Sequence, residues 1–286
     1  GLLLVAVSDM GFFGITKVIF FDYNKRDVYT WDNMLRSKNT IIAKNLINGS
    51  ISEAKTKNSH IKFINNYDIR EVIIEGYSND KKKEISFNLR LKTISNPSVV
   101  SIPFGKNRPL YTEKVLFEVS GNLKVDDKVL YSNDNTFAII DDHKGYYPRK
   151  MHYDWITTMG KMKNGEVIAF NLTKNQSVDP DNYNENLIWF RGKTSILPKV
   201  TFEKDKNIKK IKKGENVVVH IKDEHGMVDI KYSVEKASLM VVHALIIKID
   251  YYITFGKIEG YIKDENDNKY VLDGFEAIGE DKSMLF

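Results

Sequence analysis

Apolar and polar residues alternate along most of this chain. The clearest run is Ile85-Ser86-Phe87-Asn88-Leu89-Arg90-Leu91-Lys92, where every second side chain is apolar. A period of two marks a half-buried β-strand, because successive side chains of a strand point to opposite faces. Val115, Phe117 and Val119 repeat the pattern, as do Val217, Val219 and Ile221, and Val228, Ile230 and Tyr232. Leu245-Ile246-Ile247-Lys248-Ile249 leads into Tyr251-Tyr252-Ile253, the β-branched and aromatic composition of a buried strand. Polar turn chemistry separates the runs at Ser78-Asn79-Asp80, Lys163-Asn164-Gly165 and Asp264-Glu265-Asn266-Asp267-Asn268. Only Trp31 to Leu46 admits a helical reading, and it lacks a clean 3.6-residue period. Many short strands joined by polar turns predict an all-β sandwich or barrel.

Composition narrows the chemistry. The 286 residues are 42% hydrophobic and 28% charged, enough to bury a core without covalent staples. With no cysteine, disulfides, thiolate nucleophiles and Cys-ligated metals are excluded. No paired-His spacing suggests another metal site, so neither metal nor cofactor is expected. The net charge, 43 − 38 = +5, is spread along the chain. The lysine clusters Lys81-Lys82-Lys83 and Lys209-Lys210 with Lys212-Lys213 lack interleaved aromatics, and no nucleic-acid partner is expected. The longest apolar run, Leu2 to Val7, falls far short of the ~20 residues of a spanning helix. With no basic segment before it, neither a transmembrane segment nor a signal peptide is expected, which predicts a cytoplasmic protein. The N-x-[ST] sequences at Asn48, Asn171 and Asn175 are what an Asn-rich chain produces by chance.

Two internal echoes point to duplication. F-A-I-I-D-D-H-K, Phe137 to Lys144, matches F-E-A-I-G-E-D-K, Phe275 to Lys282, at Phe, Ile, an acid and Lys, which aligns Asp142 with Glu280 and Lys144 with Lys282. I-E-G-Y occurs at Ile74 to Tyr77 and again at Ile258 to Tyr261.

The densest chemistry lies in D-D-H-K-G-Y-Y-P-R-K-M-H-Y-D-W, Asp141 to Trp155. Gly145 and Pro148 break the strand pattern there, and such a bend can bring acids, hydrogen-bond donors and flat apolar faces to one concave site. The candidate catalytic groups are Asp142 and Asp154 as acids, Tyr146 as donor and His143 as relay. Tyr147, Arg149, His152, Tyr153 and Trp155 are candidates for contacting the ligand, Arg149 through a carboxylate or phosphate. Asn171, at the end of Val167-Ile168-Ala169-Phe170, joins them, with Asn184, Glu185 and Asn186 at a strand entrance and Glu280 in the echo. A structural alternative stands beside each: turn-making aspartates, tyrosines covering a barrel mouth, histidines as plain donors. No G-x-G-x-x-G, Walker A, H-E-x-x-H or G-x-S-x-G string is present, which removes support for the dinucleotide, nucleoside triphosphate, zinc-protease and hydrolase templates.

Several of these strings occur together in a recognisable order: D-D-H-K-G-Y-Y-P-R, I-A-F-N-L, Y-N-E-N-L-I-W-F-R-G-K, F-G-K-I-E-G-Y-I-K-D and D-G-F-E-A-I-G-E-D-K. As an ordered set they resemble the bacterial family called domain of unknown function 2804, over nearly the whole chain. Family members usually extend further upstream, and many close the last motif with Arg-Trp where this chain has Ser283-Met284-Leu285-Phe286. The family is similar in turn to tandem lipocalin-like barrel proteins that include carotenoid hydratases. The resemblance implies two tandem lipocalin-like antiparallel β-barrels, taken as residues 1–135, lacking upstream residues, and 136–286, each with a potential apolar cavity. It implies no established reaction.

Three functions fit. The first is a binding protein for an apolar, lipid-like small molecule, which the abundant aromatics suit. The second is a cofactor-independent hydratase or isomerase on a hydrophobic substrate, with Asp142 or Asp154 as acid beside an apolar pocket and a tyrosine as donor. The third is carbohydrate processing, with Asp142, Glu185 and Glu280 as carboxylates and Trp155 or Trp189 as sugar platforms.

Overall fold

The computed structural model describes residues 1–11, 13–45, 48–80, 83–244 and 247–285. Lys81 and Lys82 of one lysine cluster, Leu245 and Ile246 of the apolar run, Leu46 and the terminal Phe286 lie outside these. The described chain is nearly all β, as the alternation predicts, and it divides into two compact units. Residues 1–94 and 117–138 form the first; residues 95–116 and 139–286 form the second. No helix among the described residues is long and apolar enough to cross a membrane.

The first unit begins with an antiparallel meander of β1 (Leu2–Asp9), β2 (Phe13–Asp22) and β3 (Asp27–Arg36). Here the structure departs from the helical reading of Trp31 to Leu46. Trp31 and Leu35 are buried while Asp32, Met34 and Arg36 face solvent, so this stretch continues β3, and Ser37–Asn39 adds one 3-10 turn. Period-two burial outweighs the helical composition. A second antiparallel sheet follows: β4 (Thr40–Ile41), β5 (Ser50–Lys55), β6 (Ser59–Asn66), β7 (Glu71–Asp80) and β8 (Lys83–Thr93). In β8 the predicted alternation is realised: Ile85, Phe87 and Leu91 are buried between exposed neighbours.

The chain then enters β9 (Ser98–Pro103) and turns into the long β10 (Pro109–Val125). Residues 109–114 of β10 pair with β9, residues 117–125 pair with β8, and 122–125 also pair with β11 (Lys128–Tyr131). β12 (Phe137–Gly145) pairs with β10. Gly145, read from sequence as a strand breaker, ends β12 at a close approach. A Cβ there would lie 2.4 Å from the Pro109 carbonyl oxygen and 2.6 Å from Leu110 Cα, so only glycine lets the strands come this near.

The second unit is built on β13 (Lys150–Lys161), β14 (Val167–Lys174), β15 (Leu187–Phe190), β16 (Lys193–Ile196), β17 (Thr201–Lys204), β18 (Val217–Lys222), β19 (Val228–Ala244), β20 (Ile247–Lys263), β21 (Lys269–Val271) and β22 (Phe275–Leu285). Its sheet runs β16-β15-β14-β13-β22-β20-β19-β18-β17, with β21 beside β20. One face carries the core: Ile156, Phe170, Leu172, Ile188, Ile230 and Tyr252 are all buried within it. Lys204 on the end strand β17 bonds Asp154 on β13 and Asp281 on β22, in the middle of the path, so the sheet curls round this core. β19 and β20 pair along their length with one bulge between Val234 and Lys236.

Gly256 lies opposite that bulge, where a Cβ would fall 2.0 Å from the Ser233 carbonyl oxygen. Backbone has to move to admit it. Gly256→Ala is expected to destabilise the protein by about 1–3 kcal/mol, read as a lower urea midpoint at unchanged slope.

Candidate functional site

The pleat of β13 sorts the sequence candidates onto two faces. Its Cα partners on β22 run His152–Ser283, Tyr153–Lys282, Asp154–Asp281, Trp155–Glu280 and Ile156–Gly279. Ile156 belongs to the core, so Asp154 and His152 share the core side, and Tyr153 and Trp155 face the other way with Lys282 and Glu280.

On that second face two cross-strand rows stand side by side: Tyr153, Lys282 and Tyr251, then Trp155, Glu280 and Ile253. Both phenols lean toward the acid. Tyr153 Oη donates to Glu280 Oε2 at 2.7 Å, and Tyr251 Oη donates to Oε1 at 2.5 Å. Charge-assisted bonds of this length fix the orientation of a carboxylate. The Lys282 ammonium lies 4.4 Å from the centre of the Tyr251 ring and 5.7 Å from that of Tyr153. Burial raises the pKa of Tyr153 well above the ordinary phenol value, and the negative charge of Glu280 adds to it. Trp155 Nε1 donates to Asn171 Oδ1 at 2.7 Å, and Asn171 Nδ2 donates to the Glu185 carbonyl oxygen at 2.9 Å. That chain of bonds ties the sheet face to the loop entering β15.

A second cluster gathers round Lys114 of β10, which is 2% exposed. Its Nζ lies 2.7 Å from Asp141 Oδ1 on β12 and 2.7 Å from Glu185 Oε2, and it donates to Thr112 Oγ1 at 2.9 Å. Asn175 Nδ2 holds the other oxygen of Glu185 at 3.0 Å. Burial opposes charge on Lys114, but the two carboxylates outweigh it and raise its pKa. Burial likewise works to raise the Asp141 pKa, and the Lys114 ammonium reverses it, holding the carboxyl well below the carboxylate range. His143 Nδ1 lies 3.6 Å from Asp141 Oδ1. Burial would lower the His143 pKa; the Asp141 carboxylate turns the balance and raises it above the ordinary 6.5.

Tyr147 links the clusters. Its ring packs 6.1 Å from His143 and 5.9 Å from Phe104, against the apolar wall of Ile102, Phe104 and Leu110 from the β9–β10 hairpin. Burial raises its pKa, and the charges of Glu185, Asp141, Glu280 and Asp142 raise it further, so the phenol keeps its proton. His143 of the Lys114 cluster and the apolar wall thus meet at one phenol ring.

The core side holds different chemistry. Lys204 Nζ bonds Asp154 Oδ1 and, at 2.8 Å, Asp281 Oδ2; His152 Nε2 lies 3.4 Å from Asp154, and its Nδ1 lies 2.9 Å from Ser283 Oγ. His152, Asp154 and Asp281 set ligand-type atoms within 4.8 Å of one another, but the cation they surround is the lysine ammonium. Burial would raise the Asp154 pKa; His152 and Lys204 lower it instead. Burial would lower the Lys204 pKa, and its two acids raise it. A cavity of about 20 Å³ adjoins this group, lined by Tyr232, Thr254 and Ile208 among others, with room for a water-sized group.

The structure therefore brings together His143, Tyr147, Tyr153, Trp155, Asn171, Glu185 and Glu280. Asp154 and His152 belong to the opposite face. Asp142 points away from Asp141, its Oδ2 3.7 Å from Lys144 Nζ. Tyr146 is 71% exposed, and Arg149 is exposed. Asn184 and Asn186 bond backbone: Asn184 Oδ1 accepts from Asn186 N, and Asn186 ties Thr173 N to the Pro198 carbonyl oxygen. Trp189 is fully buried and offers no ring face to a sugar. Sequence reasoning missed Lys114, Asp141, Tyr251 and Lys282. The strand period carried a signal for one of them, because Asp141 shares its face with His143 and Asp142 does not.

The sequence matches the family described as domain of unknown function (DUF2804) over residues 1–286, and the chain belongs to it. A search of the curated proteins finds no match. Among solved structures, kievitone hydratase from Nectria haematococca is similar at 12% identity with a TM-score of 0.57, covering 99% of this chain and 83% of that one. CghA with Sch210972 matches at 12% identity with a TM-score of 0.42, covering 97% and 86%. The fold is lipocalin-like.

Asp154 contributes stability above the unfolded carboxylate pKa, and that contribution is lost as pH falls through its depressed folded value. Asp154→Asn, which leaves Lys204 with Asp281, is expected to cost about 1–3 kcal/mol at pH 7. Urea titrations should show the gap to wild type closing below about pH 4.

Proposed function

For this lipocalin-like member of the DUF2804 family, we propose a cofactor-independent hydratase or isomerase acting on a small hydrophobic substrate that carries a carbon–carbon double bond. One observation carries the reading: the ring of Tyr147 packs against both His143, partner of Asp141, and the apolar wall, and the charge of Glu280, which accepts two phenol hydrogen bonds, helps keep the proton on Tyr147. The fold shared with a structure named as a hydratase supports the reaction class.

Hydration of a double bond needs a proton delivered to one carbon and a water deprotonated at the other; isomerisation returns to one carbon a proton taken from another. His143, whose charged form Asp141 favours, is the proton donor. Glu280 is the base, fixed by Tyr153 and Tyr251. Tyr147 donates a hydrogen bond to an oxygen on the substrate, where negative charge grows if the double bond is conjugated to a carbonyl. The wall of Ile102, Phe104 and Leu110 takes the apolar body of the substrate. In this scheme the acid–base work of Asp142 and Asp154 passes to His143 and Glu280. The competing reading is a lipid-like ligand held without turnover, and it would use the same apolar wall of Ile102, Phe104 and Leu110.

The test is solvent-deuterium incorporation or water addition, followed by mass spectrometry, across a panel of hydrophobic enones and allylic alcohols. Glu280→Gln and His143→Asn are each expected to lower turnover by about 10²–10⁴-fold, with substrate affinity changed only a few-fold. Stoichiometric binding of panel members without exchange or addition on any of them would overturn the reading in favour of a binding protein.

A further inference from the structure

Among the described residues, Lys114 is the side chain that touches two acids from separate segments of this site, and nothing in the proton-transfer scheme uses it. We propose that Lys114 is a positioning residue: it holds Asp141 and Glu185 on a single buried ammonium, so that His143 shares Asp141 instead of having it alone. The inference rests on reading His143 and Asp141 as the proton-handling pair, and it names what tunes that pair.

The geometry sets the argument. Asp141 comes from β12, Glu185 from the loop before β15, and Lys114 from β10. Two carboxylate oxygens each 2.7 Å from one nitrogen lie no more than about 5.4 Å apart. Unneutralised, they would repel, the more so because the Glu185 carboxylate is largely buried. A lysine that is 2% exposed has no solvent alternative, so the three groups lock one another. Two of them have a further tether that limits where they can go: Lys114 to Thr112, and Glu185 to Asn175 and, through its carbonyl, to Asn171.

The consequence falls on His143. The charged groups acting on it are Asp141 of its own strand, Lys114 of β10 and Glu185 of the β15 entrance; its ring also packs on Tyr147. Asp141 and Glu185 favour the imidazolium, and Lys114 opposes it. Without the ammonium, the pull of both acids on His143 is no longer opposed, and it holds its proton more tightly. An acid that holds its proton too tightly donates it poorly, so Lys114 keeps the donor matched to its task.

The experiment is an NMR titration of the imidazole resonances of the full ¹⁵N-labelled chain, whose six histidines can be assigned by substitution. In Lys114→Met, similar in length but uncharged, the His143 midpoint is expected to rise by about one pH unit. In Glu185→Gln the ammonium falls wholly to Asp141, and the midpoint is expected to drop by about half a unit. If Lys114→Met does not fold, Glu185→Gln alone decides. An unchanged or lowered midpoint in a folded Lys114→Met, or an unchanged one in Glu185→Gln, overturns the proposal. The titration needs no substrate. Where turnover is also measured, the alkaline limb of kcat/KM should move up with the midpoint in Lys114→Met. A midpoint that moves while the limb stays still would leave Lys114 as a positioning residue and remove His143 from the acid role.

Discussion

The two-residue pleat of β13 is the constraint on which the second unit depends. It sends Ile156 and Asp154 into the curled core and Tyr153 and Trp155 out of it, and β22 and β20 continue both assignments in register. Because a one-residue slip would exchange the two sets completely, the hydrophobic core that fixes the register also fixes the candidate site. The two jobs are done by neighbouring residues of one strand, yet the sheet lies between them.

Charge is handled differently on the two faces. On the core side the acids Asp154 and Asp281 surround Lys204, which clasps the end strand β17 to the middle of the sheet. On the other, Glu280 is met by neutral phenols, and only the Lys114 cluster carries a fully buried cation. Phenol donors leave a carboxylate its charge, whereas an ammonium neutralises it. The ammonium suits a clasp, whereas the phenols orient a carboxylate without bringing a counter-charge.

How much of this was legible in the sequence follows from range. Alternation gave β8, β18 and the start of β19, because burial on one face writes itself into neighbouring residues. Trp31 to Arg36 read ambiguously, since Asp32, Asn33 and Met34 blur a period that Trp31 and Leu35 nevertheless keep. The stretch from Asp141 to Trp155 stands out in the sequence as dense in chemistry. Which of its members work together depended on parity and on strands far away in sequence. Lys114 adjoins a run whose apolar face was plain at Val115, Phe117 and Val119; nothing local says that the opposite face is buried there too. Tyr251 resembled any aromatic of a buried strand, and only its Cα partner Lys282 and neighbour Glu280 give it a role.

The two-sidedness of the second unit's sheet has an evolutionary consequence. A lipocalin-like sheet that stored its ligand inside would have to trade cohesion against capacity each time the ligand changed. Here the core residues hold one face of the sheet, and the odd-numbered positions of β13 and the even-numbered positions of β22 lie on the other. Substitutions at those positions can explore new specificities while the register-setting residues stay untouched. Such a division lets one scaffold diversify widely while the sequences that share it grow far apart.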